Sequence, residues 1–323
     1  MEITLVEAIT TALSWEMSHD KNVIVFGQDV AKNGGVFRAT DGLFAKFGAE
    51  RVFNTPLAEN TISGIAVGMS MQGLKPVAEF QFCGFIYAGF DQVINEAARM
   101  RNRTRGRLSC PIVYRVPVGG GIHAPEHHSE SPESILAHVP GLRVVTPSSP
   151  ARAYGLLLAA IRDPDPVFFL EPKRIYRAVK QDVENNGQAL PLDKCFVLRE
   201  GEDVTLISWG AMIKETLAAA NELAKENISA EVIDVATIKP LDMETILTSV
   251  EKTGRCVIIH EAPRTCGFGA EIAAQLGEHA LYFLKAPVER VTGFDTIMPY
   301  YQLEHDYLPD VKRILAAVHQ TFM

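Results

Sequence analysis

Cysteine is scarce: the chain has five, Cys83, Cys110, Cys195, Cys256 and Cys266, with no close-spaced pair and no zinc pattern. A disulfide scaffold is therefore excluded, and a reducing, cytoplasmic setting is expected. Long hydrophobic runs are absent too, since none approaches the roughly 18 residues needed to span a bilayer, and no basic stretch followed by an apolar core opens the chain. Positive charge is in deficit, with 31 Lys and Arg against 39 Asp and Glu and a net charge of -8, which argues against nucleic acid or an anionic membrane as the main partner. The local exception is the run Arg99, Arg101, Arg103, Arg105 and Arg107, either a solvated face or a subunit contact. There is no internal repeat and no low-complexity segment. What remains is 323 residues, 47% hydrophobic and 22% charged, an ordinary globular composition long enough for two domains.

The pattern along the chain alternates strand and helix with short connections, which implies an α/β fold of doubly wound parallel sheets. Thr4 to Glu7 fits a capping box that starts a helix ending near Ser18. Strands are expected at Val23 to Phe26, Pro76 to Phe82, Ile112 to Val116, Arg143 to Val145 and Val167 to Leu170. Helices are expected from Glu59, from Ala88 to Arg103 and from Ala151 to Ile161. The pattern weakens through 181–199, a polar linker, and resumes with strands at Val204 to Ser208, Ala230 to Asp234, Arg255 to His260 and Val288 to Val291. Helices near Lys214 to Glu226, Met243 to Lys252 and Ala270 to His279 separate them. The domains are accordingly 1–180 and 200–323, both of the same class.

Three stretches carry candidate chemistry. Glu59 opens a helix whose small and apolar residues, Ile62, Gly64, Ile65, Ala66, Gly68 and Met69, recur at helical spacing. Gly64 and Gly68 each cost about 1 kcal/mol relative to Ala, so another backbone is expected to pack closely on that face. The acid itself has two readings on pattern alone, complementing the helix dipole or acting in a site. His123, His127 and His128 with Glu126 and Glu130 follow Gly119–Gly121 in what reads as an extended loop, open to solvation, acid/base work or anion binding, and less suited to a metal. Gly267-Phe268-Gly269 hints at a dinucleotide loop but has Ile272 in place of the third glycine, and is read as a tight turn into a helix.

Leu-Ala-Glu at 57–59 followed by Ile-Ser-Gly and Ala-Val-Gly resembles a family signature, and the likeness runs along nearly the whole chain. Phe26-Gly-Gln-Asp-Val30, Gly34-Gly-Val-Phe37, Glu79-Phe-Gln-Phe82, Phe90-Asp-Gln92, Asn95-Glu-Ala-Ala98, His128-Ser129, Pro140-Gly141 and Lys239-Pro-Leu-Asp242 all share in it. The chain resembles the beta subunit of the decarboxylating, thiamine diphosphate-dependent component of 2-oxo acid dehydrogenases, in the transketolase-like superfamily. The resemblance implies a pyrimidine-binding domain followed by a transketolase C-terminal-like domain. It implies that Glu59 touches the aminopyrimidine of the cofactor, that Gln81 and Phe85 line the same ring, and that His128 serves acyl transfer. It also suggests a potassium site at Ile112, Ala160, Ile161, Asp163 and Asp165, largely of backbone carbonyls.

A Gly-Asp-Gly motif, which holds magnesium and the diphosphate in such enzymes, does not occur in this chain. The resemblance therefore implies an alpha subunit that carries both, in a heterotetramer of two and two, and a lipoyl acyltransferase as the next partner. For the substrate, Phe85 is similar to pyruvate-type chains, whereas Ser131-Pro-Glu133, Ala137-His138, Glu171-Pro-Lys173 and Tyr176-Arg177 look closer to the branched-chain type. Pyruvate is the expected substrate. A branched-chain 2-oxo acid or acetoin dehydrogenase beta subunit is the alternative, and a non-catalytic docking subunit or a self-sufficient nucleotide enzyme the readings of another class.

Overall fold

The computed structural model describes residues 1–323. In the first half lie β1 (Glu2–Ile3), α1 (Leu5–His19), β2 (Val23–Gly27), α2 (Leu43–Phe47), β3 (Val52–Asn54), α3 (Glu59–Met71), β4 (Lys75–Glu79) and α4 (Met100–Arg103). There follow β5 (Val113–Val118), α5 (Glu133–Ala137), β6 (Arg143–Val145), α6 (Pro150–Arg162), β7 (Val167–Pro172) and β8 (Gln181–Asp182). The second half holds β9 (Phe196–Arg199), β10 (Val204–Ser208), α7 (Ile213–Lys225), β11 (Ala230–Asp234), β12 (Thr237–Lys239) and α8 (Met243–Thr253). It ends with β13 (Cys256–Ile259), α9 (Phe268–His279), β14 (Glu289–Val291), α10 (Glu304–Tyr307) and α11 (Val311–Gln320).

The expected capping box forms: the Thr4 side chain accepts from Glu7 N–H while the Glu7 carboxylate accepts from Thr4 N–H at 2.7 Å. Buried β-branched strands then build a seven-stranded sheet in the order β12-β6-β7-β5-β4-β2-β3, parallel except for β12. One face is covered by α1 and α6 around Leu5, Leu13 and Leu157, the other by α3 and α5 around Ile62, Ala66 and Leu136. The second sheet, β14-β13-β10-β11-β9, is sandwiched likewise by α7 and α11 on one side and α8 and α9 on the other. Both domains are thus doubly wound α/β. One apolar cluster runs from Phe26 and Ile62 into Ile207, Trp209 and Ile258, so the two domains share a core.

Four expectations are corrected. The helix expected from Ala88 to Arg103 is a 3₁₀ turn over Cys83–Gly89, a π-helical segment over Gln92–Ala97 and only then α4. The stretch read as linker is not free of secondary structure: β8 pairs with β1, and β9 pairs antiparallel with β11 in the second sheet. Thr237–Lys239, read as part of the second domain, crosses over as β12 and hydrogen-bonds to β6 in the first sheet. Finally, this chain does not itself supply the close backbone expected on the Gly64 and Gly68 face: Asn60, Thr61, Ile65 and Gly68 form an exposed stripe, Gly64 faces the Gln92 side chain, and nothing in the chain comes within 4 Å of a Cβ placed on Gly68. Gly267 and Gly269 do open α9, as expected; a Cβ on either would meet the buried His260 ring at 2.7 and 2.9 Å, so close packing, not phosphate binding, accounts for them.

Candidate active site

Strands β3, β2 and β4 are neighbours in register, with Asn54, Gly27 and Glu79 side by side at their C-terminal ends. The segment after β2 leads to α2, packed with α1 on one face, while those after β3 and β4 lead to α3 and the 3₁₀ turn on the other. Neighbouring strands whose connections part to opposite faces leave a crevice between them, where α/β proteins bind ligands. Gln28 and Asp29, Glu59, and Gln81 to Phe85 all follow these three strands.

Glu59 is the first residue of α3, half-buried, and its carboxylate takes no hydrogen bond or ion pair from the chain. Its backbone is pressed against the 3₁₀ turn: a Cβ on Gly89 would lie 2.3 Å from Ser63 Oγ and 2.9 Å from the Glu59 carbonyl oxygen. That contact fixes the start of α3 against the segment bearing Phe85. Gln81 Nε2 donates to Asp29 Oδ2 at 3.4 Å across the crevice, where Asp29 sits at a φ of 59°.

The histidine loop folds over the same turn. His128 packs against Phe82 with ring centroids 4.2 Å apart and against Phe85 at 5.3 Å, and His127 lies 5.3 Å from Phe85. A Cβ on Gly84 would meet the His127 carbonyl at 2.2 Å, so only glycine lets the loop sit this close. Burial, with His127 and the Lys173 ammonium adding to it, lowers the His128 pKa and favours the neutral ring. Its Nδ1 is buried without a partner, leaving an imidazole able to accept a proton. The structure thus gathers Glu59, Gln81, Phe85 and His128 around one crevice.

Sequence reasoning assigned no role to Phe82 or Asp29, although both lie in quoted motifs, nor to Glu79. The Glu79 carboxylate is buried at the end of β4, where Arg115 Nη1 donates to it at 2.8 Å, and Arg115 also holds Glu171 through Nε and Nη2 at 2.7 and 3.1 Å. Burial lifts the Glu79 carboxyl to about 7 despite the guanidinium. A charged Arg115 in the middle of β5 was the available signal.

The residues suggested for potassium lie elsewhere, at the opposite, N-terminal edge of the sheet where β5 and β7 begin. There Val167 N–H donates to the Ile112 carbonyl at 2.8 Å, and Asp163 N–H reaches the Ala160 carbonyl at 3.3 Å. Ile161 is buried on α6, while Asp163 pairs with Arg143 at 2.9 Å and Asp165 with Arg101 at 2.7 Å. The five arginines of that run are all exposed in this chain.

Residues 1–179 match the family "Transketolase, pyrimidine binding domain", and residues 193–314 match "Transketolase, C-terminal domain". The chain is 49% identical over 314 residues to the pyruvate dehydrogenase E1 component subunit beta of Bacillus subtilis (strain 168), covering 97% of each. It is 49% identical over 318 residues to the protein of that name in Acholeplasma laidlawii, covering 98% of this chain and 97% of the relative. Among solved structures it is similar to a "Split gene transketolase, inactive beta4 tetramer", with a TM-score of 0.81, 26% identity, and coverage of 99% and 98%. Similarity of this degree over the full length of both domains shows that the chain belongs to the pyruvate dehydrogenase E1 beta-subunit family, within the transketolase-like proteins.

Proposed function

We propose that this chain is the beta half of a thiamine diphosphate-dependent enzyme that oxidatively decarboxylates pyruvate and passes the acetyl group to the lipoyl arm of an acyltransferase. The observation that carries the reading is the crevice itself: an unpaired carboxylate on the first turn of α3, an aromatic wall of Phe82 and Phe85, and a neutral imidazole on the loop above them. This set fits the aminopyrimidine end of the cofactor. Glu59 would hold a proton against the ring nitrogen, Phe85 and Gln81 would orient the ring, and His128 would move a proton during acyl transfer. When bound, thiamine diphosphate supplies the carbon nucleophile and electron sink that decarboxylation requires.

Magnesium and the diphosphate belong, in this reading, to an alpha chain, because this chain has no Gly-Asp-Gly motif. The exposed stripe of α3, with Ile65 38% exposed and open space beside Gly68, supports such a partner, since a neighbouring backbone can approach there. The assembly in this reading is a heterotetramer of two alpha and two beta chains. A potassium ion near Ile112, Ala160 and Asp163 would have only a structural role so far from the crevice.

Co-expression with the alpha chain, followed by decarboxylation assays on a panel of 2-oxo acids, tests the substrate. Pyruvate is expected to have the highest kcat/KM, with measurable activity on 2-oxobutyrate, because one methylene discriminates by only about 1 to 3 kcal/mol. A higher kcat/KM for 3-methyl-2-oxobutanoate moves the assignment to the branched-chain enzyme.

A further inference from the structure

The loop that bears His128 is held from the other domain. Gly120 N–H donates to Glu261 Oε1 at 2.8 Å, and the Ser131 hydroxyl donates to the same oxygen at 3.1 Å. Gly121 N–H donates to Glu304 Oε1 at 2.6 Å and His123 N–H to Glu304 Oε2 at 3.0 Å. Both acids lie in the second half of the chain, Glu261 just after β13 and Glu304 at the start of α10. Glu304 is only 1% exposed, and its two oxygens are each taken by a loop N–H. A buried carboxylate that spends both oxygens on backbone N–H groups of one loop, as Glu304 does, is a strong, directional anchor, and the half-buried Glu261 adds a second on one oxygen.

The three glycines are each required by a close neighbour of the loop. A Cβ on Gly119 would lie 2.4 Å from Glu261 Oε1, and one on Gly120 would lie 2.6 Å from Met298 Cε. At Gly121, where φ is +87°, it would lie 2.1 Å from Arg174 Cδ. Arg174 cannot readily give way, because Glu215 of α7 holds its guanidinium at 2.7 and 2.8 Å. Lys173 Nζ donates to the Gly119 carbonyl, and Gly119 N–H closes the base of the loop on the Glu130 carbonyl at 2.8 Å.

We propose that Glu261 and Glu304 are positioning residues: second-domain carboxylates that latch the 119–131 loop by its backbone and so set the placement of His128 for acyl transfer. The functional half of this rests on the role given to His128 above. At Glu304 an isosteric amide breaks the latch selectively, because its NH2 faces one of the two backbone N–H groups in place of an acceptor oxygen. Glu261 accepts both of its bonds on one oxygen, which an amide would keep, so there the carboxylate is removed as Glu261→Ala.

The test uses the chain assembled with its alpha partner, as wild type, Glu261→Ala, Glu304→Gln, His128→Ala and the Glu304→Gln/His128→Ala double variant. Hydrogen exchange at the 119–131 amides is expected to quicken by about tenfold in Glu261→Ala and in Glu304→Gln, with the rest of the chain unchanged. Acyl transfer to lipoamide should fall about tenfold, decarboxylation with an artificial electron acceptor less than about threefold, and Glu304→Gln should add no loss in the His128→Ala background. Unchanged loop exchange in both variants overturns the latch, as does faster exchange spread over the whole chain. An equal further loss in the His128→Ala background overturns the link to His128. If His128→Ala alone leaves transfer intact, the role given to His128 fails separately, and loop exchange by itself decides the latch.

Discussion

Glu59 carries the sharpest residue-scale expectation, because its carboxylate has no partner in the chain and the first turn of α3 holds it in place. Glu59→Gln should leave assembly intact and lower decarboxylation by about 10²-fold or more, the range expected of a positioned acid/base contact. Retention of over about a tenth of the rate, with an artificial electron acceptor, contradicts that role. A second residue makes a pH prediction. Glu133 is buried, its only side-chain partner is Trp209 Nε1 at 3.2 Å, and burial raises its carboxyl from 4.5 to about 7. The folded chain therefore keeps the proton where the unfolded chain has lost it. The resulting stability is full below about 4.5 and is lost as pH rises through 7, a change on the order of 3 kcal/mol at most. Glu133→Gln does not titrate, so its melting temperature relative to wild type should rise between pH 5 and pH 8. A constant difference across that range removes Glu133 as the source.

At the scale of elements, β4, β5 and β7 are tied together by charge inside an apolar sheet. Arg115 of β5 is 1% exposed and bridges Glu79 of β4 and Glu171 of β7, whose Oε2 also accepts from Tyr176 Oη at 2.5 Å. Removing one partner of such a network leaves buried charge uncompensated, which costs about 3 to 5 kcal/mol. Arg115→Met should destabilise the chain by that amount in a denaturant titration, and a loss under about 1 kcal/mol would mean that the carboxyls relax to neutral forms freely. The π-helical segment over Gln92–Ala97 belongs to this scale as well. It follows the 3₁₀ turn that seats Phe85 beside His128, so the irregular backbone lies next to the crevice.

For the whole molecule, the proposed function makes the crevice only half of a cofactor site. The chain brings a pyrimidine-facing set and leaves an uncovered stripe of Asn60, Thr61, Ile65 and Gly68 on α3 beside it. Purified alone, it should bind thiamine diphosphate and magnesium poorly, and adding the alpha chain should restore tight binding. Micromolar, magnesium-dependent binding by the chain alone, measured by titration calorimetry, refutes the division of the site. The same experiment with NAD separates the self-sufficient nucleotide enzyme, a reading that the packing of Gly267 and Gly269 on His260 already disfavours.

Local pattern was enough for much of this. The Thr4–Glu7 capping box, the buried parallel strands, the start of α3 at Glu59 and the glycine turn into α9 follow from hydrogen-bond geometry and hydrophobic period, which act over a few residues and are written in order along the chain. The motif around Glu59, together with the others along the chain, pointed to the family. Other features depended on partners distant in sequence. That β12 leaves its domain to extend the first sheet, that Arg115 meets Glu79 and Glu171, and that Gly64 faces Gln92 while Gly68 faces open space are decided only when distant segments meet. The same holds for Gly119–Gly121, which in the sequence only lead into an extended loop until Glu261, Met298 and Arg174, all distant along the chain, are seen to occupy the room that side chains would need. Periodicity reports which face of an element is buried; only the tertiary structure decides what it is buried against.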